Sequence, residues 1–339
     1  MKTSNWTFAV IGCGRIGLRH IAMIQGSPQG QLVATIDIKA SDGLNTPESV
    51  PHFSSLSQMQ EAGIHPDVVA IATPNGLHAL QAIEAIAAGS HVIIEKPMAL
   101  HKADAEKVLH AALKHGKQVI GVMQNRYSPP SAWLKGMVDE GKLGAIYQVH
   151  VDCFWNRDER YYQVGDWHGS KDLDGGTLYT QFSHFIDMLY WLFGDIEPLA
   201  VHCSNFNHQG LIDFEDSGMV HFNMLSQKGV GSLNYSTSVW DTNLESSMTI
   251  IAEKGSIKIA GQYMNEVAHC HVKDYEMPVL PPSNPPNNYG AYKGSAANHS
   301  FVYDNVMEVL GGQGSVTTNA LEGLKVVEII EKIYDLADV

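Results

Sequence analysis

The sequence predicts an α/β chain: an N-terminal doubly wound parallel sheet of Rossmann type, then a C-terminal α+β domain with an open-faced, mainly antiparallel sheet. Three observations predict it. In the first third, short strands that are apolar on both faces alternate with helical patterns, as in a parallel sheet covered on both sides. Beyond residue 124 the strands lengthen and fill with β-branched and aromatic residues. A length of 339 residues also exceeds one ordinary domain. The boundary is placed at residue 124, giving domains 1–124 and 125–339.

The elements follow in order. TFAVIG is the first strand, with a helix from about Gly14, and LVATID is the second. VVAIAT leads to a helix after Pro74, HVIIEK to a helix from about Lys102, and QVIGVM completes the sheet. After QNRYSPP, 124–130, comes a helix that includes Trp133 and Met137. AIYQVHVDCFW, DSGMVHFNML and VGSLNYSTSVW read as strands of one antiparallel sheet, with SMTIIAEKGSIKIA as a hairpin turning at Lys254 and Gly255. GGTLYTQFSHFIDMLYWLFG, 175–194, reads as a single amphipathic helix. Residues 276–300 concentrate Pro, Asn and Gly and predict a long loop, of the kind that serves as a lid, a binding loop or an oligomer arm. NHSFVYDNVMEVL and TNALEGLKVVEIIEKIYDLA predict two closing helices.

A formal net charge of -14, with no Lys/Arg run, opposes partnership with nucleic acid or an anionic membrane. No apolar run approaches the length of a membrane span, and the N-terminus lacks a signal-peptide pattern, so a cytoplasmic, soluble protein is expected. Cys13, Cys153, Cys203 and Cys270 form no C-x-x-C pair. His269 and His271 of HCH would share one face of an alternating strand as ordinary residues, and no metal is expected.

Between the first strand and helix, Gly12-Cys13-Gly14-Arg15-Ile16-Gly17 is a G-x-G-x-x-G. Its glycines allow a tight turn and close approach of a pyrophosphate to the helix N-terminus. Asp37 ends the second strand twenty positions after Gly17, where a carboxylate would accept from the ribose hydroxyls of an adenosine and oppose a 2'-phosphate. A turn or cap role is the alternative for Asp37. In IATPNGLHA, Asn75 is either a helix cap or a ligand contact. Lys96, in HVIIEKPMAL, follows a strand at the edge where α/β sheets bind ligands, and a cation there would polarise a substrate hydroxyl. His184 reads either as a packed core histidine or as a proton acceptor.

These motifs together, GCGRIG, Asp37, TPNGLH, EKP, QNRY and a GG followed by H-x-x-D at 175–187, resemble the Gfo/Idh/MocA oxidoreductases, the glucose-fructose oxidoreductase and inositol dehydrogenase family. The resemblance runs over nearly the whole chain. It implies bound NAD, with Gly12, Gly14, Arg15, Ile16, Gly17, Asp37, Thr73, Asn75, His78, Glu95, Lys96, Gln124 and Trp167 around it. It implies Lys96 and His184 as the catalytic pair, His184 taking the proton, and substrate contacts from Lys96, Arg157, Arg160, Tyr161, Thr180 and His184. One position departs: many members carry Asp or Asn four residues before the histidine, and here Thr180 stands there beside Gln181, which implies a simpler Lys/His arrangement.

DWHGSKDLDGGTLYTQFSH and YKGSAANHSFVYDNVMEVL are most similar to the UDP-N-acetyl-2-amino-2-deoxyglucuronate 3-dehydrogenase branch, which serves surface-polysaccharide and lipopolysaccharide synthesis. The implied function is oxidation of a secondary hydroxyl of a sugar, at C3 of a UDP-N-acetylated hexuronate. Arg157 or Arg160 would pair with its carboxylate, with Lys171 and Lys293 as further cations nearby. A free-sugar or inositol dehydrogenase, or a non-catalytic NAD-binding regulator, are the alternatives. The open sheet face predicts a homo-oligomer, a dimer or tetramer.

Overall fold

The computed structural model describes residues 5–163, 167–288 and 293–337. Asp166 and Tyr292, parts of the two segments that carry the branch resemblance, lie outside the described residues, as does the 289–292 portion of the predicted loop. The chain divides into two compact units: residues up to Val122 with His299–Val327, and Met123–Asn298 with the residues from Glu328.

The first unit runs β1 (Trp6–Ile11), α1 (Arg15–Gly26), β2 (Gly30–Ile36), β3 (His52–Phe53), α2 (Leu56–Glu61), β4 (Val68–Ile71), α3 (His78–Ala87), β5 (His91–Ile94), α4 (Lys102–His115) and β6 (Val119–Gly121). The six strands are parallel, in the order β3-β2-β1-β4-β5-β6. Every residue of β4 is buried, which requires helices on both faces of the sheet. The strand order reverses at β1, so the crevice at the carboxyl ends of β1 and β4 is where such a sheet binds ligands. The short β3 and α2 carry too few apolar residues to signal themselves in the sequence.

The second unit holds α5 (Pro129–Asp139), β7 (Ile146–Phe154), α6 (Glu159–Tyr162), one π-helical turn (Leu178–Phe182), α7 (Ser183–Phe193), β8 (Ile196–Ser204), β9 (Ser217–Met224), β10 (Gly229–Ser236), β11 (Glu245–Ala252), β12 (Gly255–Ala260), β13 (Glu266–Val272), β14 (Pro286–Asn288) and β15 (Lys293–Ala296). Its seven-stranded sheet runs β13-β12-β11-β7-β10-β9-β8. Neighbours are antiparallel except β7 and β10, which are parallel, so the sheet is mixed and mainly antiparallel, as the sequence predicts. Alternation along β9 buries Val220, Phe222 and Met224 and exposes Met219, His221 and Asn223. Phe182 and Phe185 cover the buried face, against Trp155 and Tyr235.

Two sequence readings shift locally. Ala252 pairs with Gly255, so the β11–β12 turn residues are Glu253 and Lys254. The predicted 276–300 loop contains the antiparallel pair β14 and β15. The helix predicted over 175–194 is divided: Gly175 and Gly176 have φ of 91° and 136°, and the π-turn follows before α7 begins.

The chain closes with α8 (His299–Leu310) and α9 (Ala320–Leu336). Residues 299–327 group with the first unit, which amends the contiguous 125–339 division. The physical reason is apolar contact: the Tyr303 ring lies 6.1 Å from Phe8 and 5.7 Å from His20, and Met98 packs at Gly323. Helical periodicity marks an apolar face and says nothing of which sheet it covers. No helix among the described residues is long and apolar enough to cross a membrane.

Candidate active site

In the first unit the expected coenzyme residues follow the carboxyl ends of the strands. Gly12 leaves β1 with φ of 84°, and a Cβ on it would lie 2.6 Å from the Ala72 carbonyl oxygen. A Cβ on Gly17 would overlap the Gly12 carbonyl, so the first and third glycines are required by the turn itself. Gly14 differs. A Cβ there would meet no atom within 4 Å, and α1 begins beside it with no side-chain cap and no acid in its first turn. Open space in front of an uncapped helix N-terminus, at Arg15 and Ile16, fits a pyrophosphate.

Asp37 lies just beyond β2. Its Oδ2 accepts from the Cys13 amide at 2.7 Å and its Oδ1 from the Lys39 amide at 2.9 Å. The turn role leaves the expected ligand role open, because each carboxylate oxygen keeps a second lone pair that a ribose hydroxyl could use. Burial, and then the Asp37 charge, push the Cys13 thiol up to about 12, so it stays neutral. Asn75 is buried, and no side-chain cap forms at its own turn or at α3. Thr73 donates through Oγ1 to Gln81 at 2.6 Å.

Two residues expected at the coenzyme also hold the framework. His78 is 1% exposed, with Nδ1 2.7 Å from the Pro97 carbonyl and Nε2 2.8 Å from that of Thr73. Burial lowers its pKa, and a neutral imidazole has one N–H to give to these two acceptors. The ring lies between the segment after Lys96 and the residues that follow β4, and donates to one of the two carbonyls according to its tautomer. The Glu95 carboxylate sits among His20 Nε2 at 3.1 Å and His299 Nε2 at 3.5 Å, and His20 Nδ1 is 2.8 Å from the Tyr303 hydroxyl. Burial pushes this carboxyl up, but the two histidines outweigh it and hold it well below the usual range. Lys96 follows directly, half-buried.

In the second unit His184 is the second residue of α7 and 2% exposed. The turn before it is braced on two sides. Gln181 accepts from Arg157 Nε at 2.7 Å and donates to the Tyr161 hydroxyl at 2.7 Å. Thr180 donates to the Asp174 carbonyl at 3.0 Å and to its carboxylate, whose other oxygen accepts from the Gly169 amide at 2.7 Å. A carboxylate therefore does stand beside position 180, brought from six residues upstream.

The two arginines part company. Arg157 is buried, stacked over Trp155 and Tyr161, and bonded to the carbonyls of Asn156 and Lys293 and to Asn243. Arg160 is half-exposed, its Nε and Nη2 forking Asp158 at 2.9 and 2.6 Å. Trp167 stacks on His168 at 3.9 Å, and His168 meets Tyr161 edge-on. Trp155 is a core residue, donating to Ser246. Gln124 donates to Ser295 at 2.7 Å, while its buried Oε1 has no partner among the described residues and suits a donor from outside.

Asp187, the acid of H-x-x-D, pairs with Arg126 of QNRY through Nε–Oδ2 at 2.8 Å and Nη2–Oδ1 at 2.6 Å, both side chains fully buried. Sequence reading singled out neither of these residues, nor Asp174. The signal was present only as the motif letters themselves.

The Gfo/Idh/MocA oxidoreductase family, NAD-binding Rossmann fold, matches residues 6–122, and the Gfo/Idh/MocA C-terminal domain matches residues 131–258. The WlbA dehydrogenase from Bordetella pertussis, crystallised with NADH and UDP-GlcNAcA, is 31% identical with a TM-score of 0.84, over 98% of this chain and 96% of that one. The WlbA dehydrogenase from Chromobacterium violaceum, with the same two ligands, is 32% identical with a TM-score of 0.85, over 99% and 94%. An inositol 2-dehydrogenase of Gluconacetobacter diazotrophicus is 32% identical over 147 residues, 42% of this chain and 44% of that protein. Matches to both domains, and identity above 30% over nearly the whole length, make the chain a member of the Gfo/Idh/MocA family of NAD-binding oxidoreductases, enzymes that act on sugar or polyol hydroxyls.

Proposed function

We propose that the protein oxidises C3 of a UDP-N-acetylated hexuronate. The observation that carries this reading is the near-full-length likeness to two dehydrogenases crystallised with NADH and UDP-GlcNAcA, at 31% and 32% identity, against a likeness to inositol dehydrogenases that covers 42% to 56% of this chain. NAD, when bound, supplies the hydride acceptor. Gly12, Gly14 and Gly17 give the pyrophosphate its approach to the α1 N-terminus, and Asp37 takes the ribose hydroxyls. Lys96 donates to the reacting hydroxyl and favours its alkoxide character, and His184 accepts the hydroxyl proton. Arg160 meets the substrate carboxylate. Its pair with Asp158 is half-exposed, and exposed pairs are worth little, so exchanging one carboxylate for another costs little.

A homo-oligomer, a cytoplasmic setting and a place in surface-polysaccharide synthesis belong to the same proposal. The test is a panel assay following NADH formation. A UDP-N-acetylhexuronate should be turned over more efficiently than glucose, inositol or neutral UDP-sugars. Preferential turnover of a free polyol, with no activity on any nucleotide sugar, would assign the chain to the inositol-type branch instead.

A further inference from the structure

Glu215 is a buried acid for which the proposed chemistry has no use. It precedes β9 and is followed by Asp216, and the two neighbouring carboxyls have opposite surroundings. Asp216 Oδ2 accepts from the amides of Phe206 and Asn207 at 3.0 and 2.7 Å and lies 2.9 Å from His208 Nδ1, while Oδ1 accepts from the Ser217 hydroxyl at 2.8 Å. Burial pushes the Asp216 carboxyl up, and these donors overrule it and hold it far below the usual range. Glu215 has both of its donors on Oε1, the hydroxyls of Tyr334 at 2.7 Å and Tyr235 at 3.0 Å, and its buried Oε2 has no partner among the described residues. Burial pushes the Glu215 carboxyl up to about 7, the two tyrosines draw it back, and the Asp174 charge adds to the rise.

The same hydroxyls lead to the turn before His184. Tyr334 donates to Glu215 and accepts from the Leu178 amide at 3.0 Å. A Cβ on Gly176 would overlap that hydroxyl. Thr177 donates through Oγ1 to the Glu215 carbonyl at 2.5 Å. Residues 176–178 thus rest on Glu215 and Tyr334, and Leu178 opens the π-turn that runs into α7 and His184.

We propose that Glu215 is a positioning residue: loss of its proton tightens, through Tyr334, the hold on Gly176–Leu178 and with it the placement of His184. The inference rests on His184 being the proton acceptor. With the proton on, Tyr334 donates to a neutral oxygen. With it off, the acceptor is a carboxylate, and such a bond is roughly twice as strong. The groups facing Glu215 are Asp174 before the π-turn, Tyr162 of α6, Cys203 of β8, Tyr235 of β10 and Tyr334 of α9. These are acids; the cation that acts on one of them, Arg157 on Tyr162, is itself bonded to Gln181 and to the carbonyls of Asn156 and Lys293. Global stability runs the other way. Folding raises this carboxyl, so its contribution is full below the unfolded carboxyl range and falls as pH rises to about 7.

Glu215→Gln keeps the side chain neutral at every pH. Hydrogen exchange of the peptide containing Leu178, compared between wild type and variant at each pH, cancels the intrinsic pH dependence of exchange. Protection should be equal near about pH 5.5, and the wild type about fivefold better protected near about pH 8.5, the gain of one bond on ionising its acceptor. The wild-type to variant ratio of kcat should rise by a similar factor, since pH effects common to both proteins cancel in the ratio. A ratio that does not change with pH in either measurement overturns the inference. Should Glu215→Gln not fold, Tyr334→Phe takes its place. Its Leu178 peptide should show no pH-dependent protection, and retention of that dependence overturns the relay. Exchange needs no substrate, so wild-type turnover in His184→Asn would refute the assigned base, and with it the link to chemistry, while the exchange result separately decides whether Glu215 grips the turn.

Discussion

Asp37 shapes the glycine loop through the Cys13 amide, and on the proposed reading the same carboxylate sets negative charge where a 2'-phosphate would lie. NAD should therefore be preferred to NADP by about tenfold or more in kcat/KM, the size of one charge-assisted bond at roughly 1.5 kcal/mol. Asp37→Asn keeps an acceptor for Cys13 and should narrow that preference; equal efficiency of the wild type with both coenzymes would contradict the assignment. His184→Asn should lower kcat by on the order of 10²-fold with coenzyme affinity little changed, the range of a positioned acid/base group. Lys96→Met should damage both kcat and KM, whereas Arg160→Ala should raise KM more than it lowers kcat. Steady-state kinetics and coenzyme titration separate these outcomes.

The π-turn and α7 form the element that carries His184, and their side-chain braces explain why they sit where they do. Arg126 and Asp187 are both fully buried, the guanidinium lying 5.2 Å over the Trp191 ring. Arg126→Met leaves a buried carboxylate without that pairing and should cost about 3–5 kcal/mol, while Arg126→Met combined with Asp187→Leu should recover most of it. Urea unfolding of the three proteins measures this. Here the limits of sequence reading are physical. The glycine loop and Asp37 were legible because a tight turn dictates its glycines locally and the second strand fixes the spacing. The role of Asp187 was not, because its partner lies 61 residues away in sequence. Gln181 and Arg157 are 24 apart, and helical periodicity alone drew one helix through Gly175, Gly176 and the π-turn. His78 and Glu95 stand in legible motifs, yet their work depends on the Pro97 carbonyl and on His299, contacts that exist only once the first unit has folded.

For the whole molecule, the exposed face of the mixed sheet is the feature that a lone subunit leaves in water. Val230, Gln148 and Ile251 form one row across β10, β7 and β11, and Met219 of β9 is 60% exposed on the same face. Such a face favours self-association. Light scattering should find a dimer or tetramer, and Val230→Glu with Ile251→Glu should shift it toward monomer; an unchanged mass would place the contact elsewhere. The central claim, that a carbon-bound hydrogen of a nucleotide sugar leaves as hydride, is tested most directly with a UDP-N-acetylhexuronate deuterated at C3. Mass spectrometry should find the deuterium in the reduced coenzyme and a ketone at C3 of the sugar. Reduced coenzyme formed without the label, or no reaction of the nucleotide sugar while a free polyol is oxidised, would contradict it.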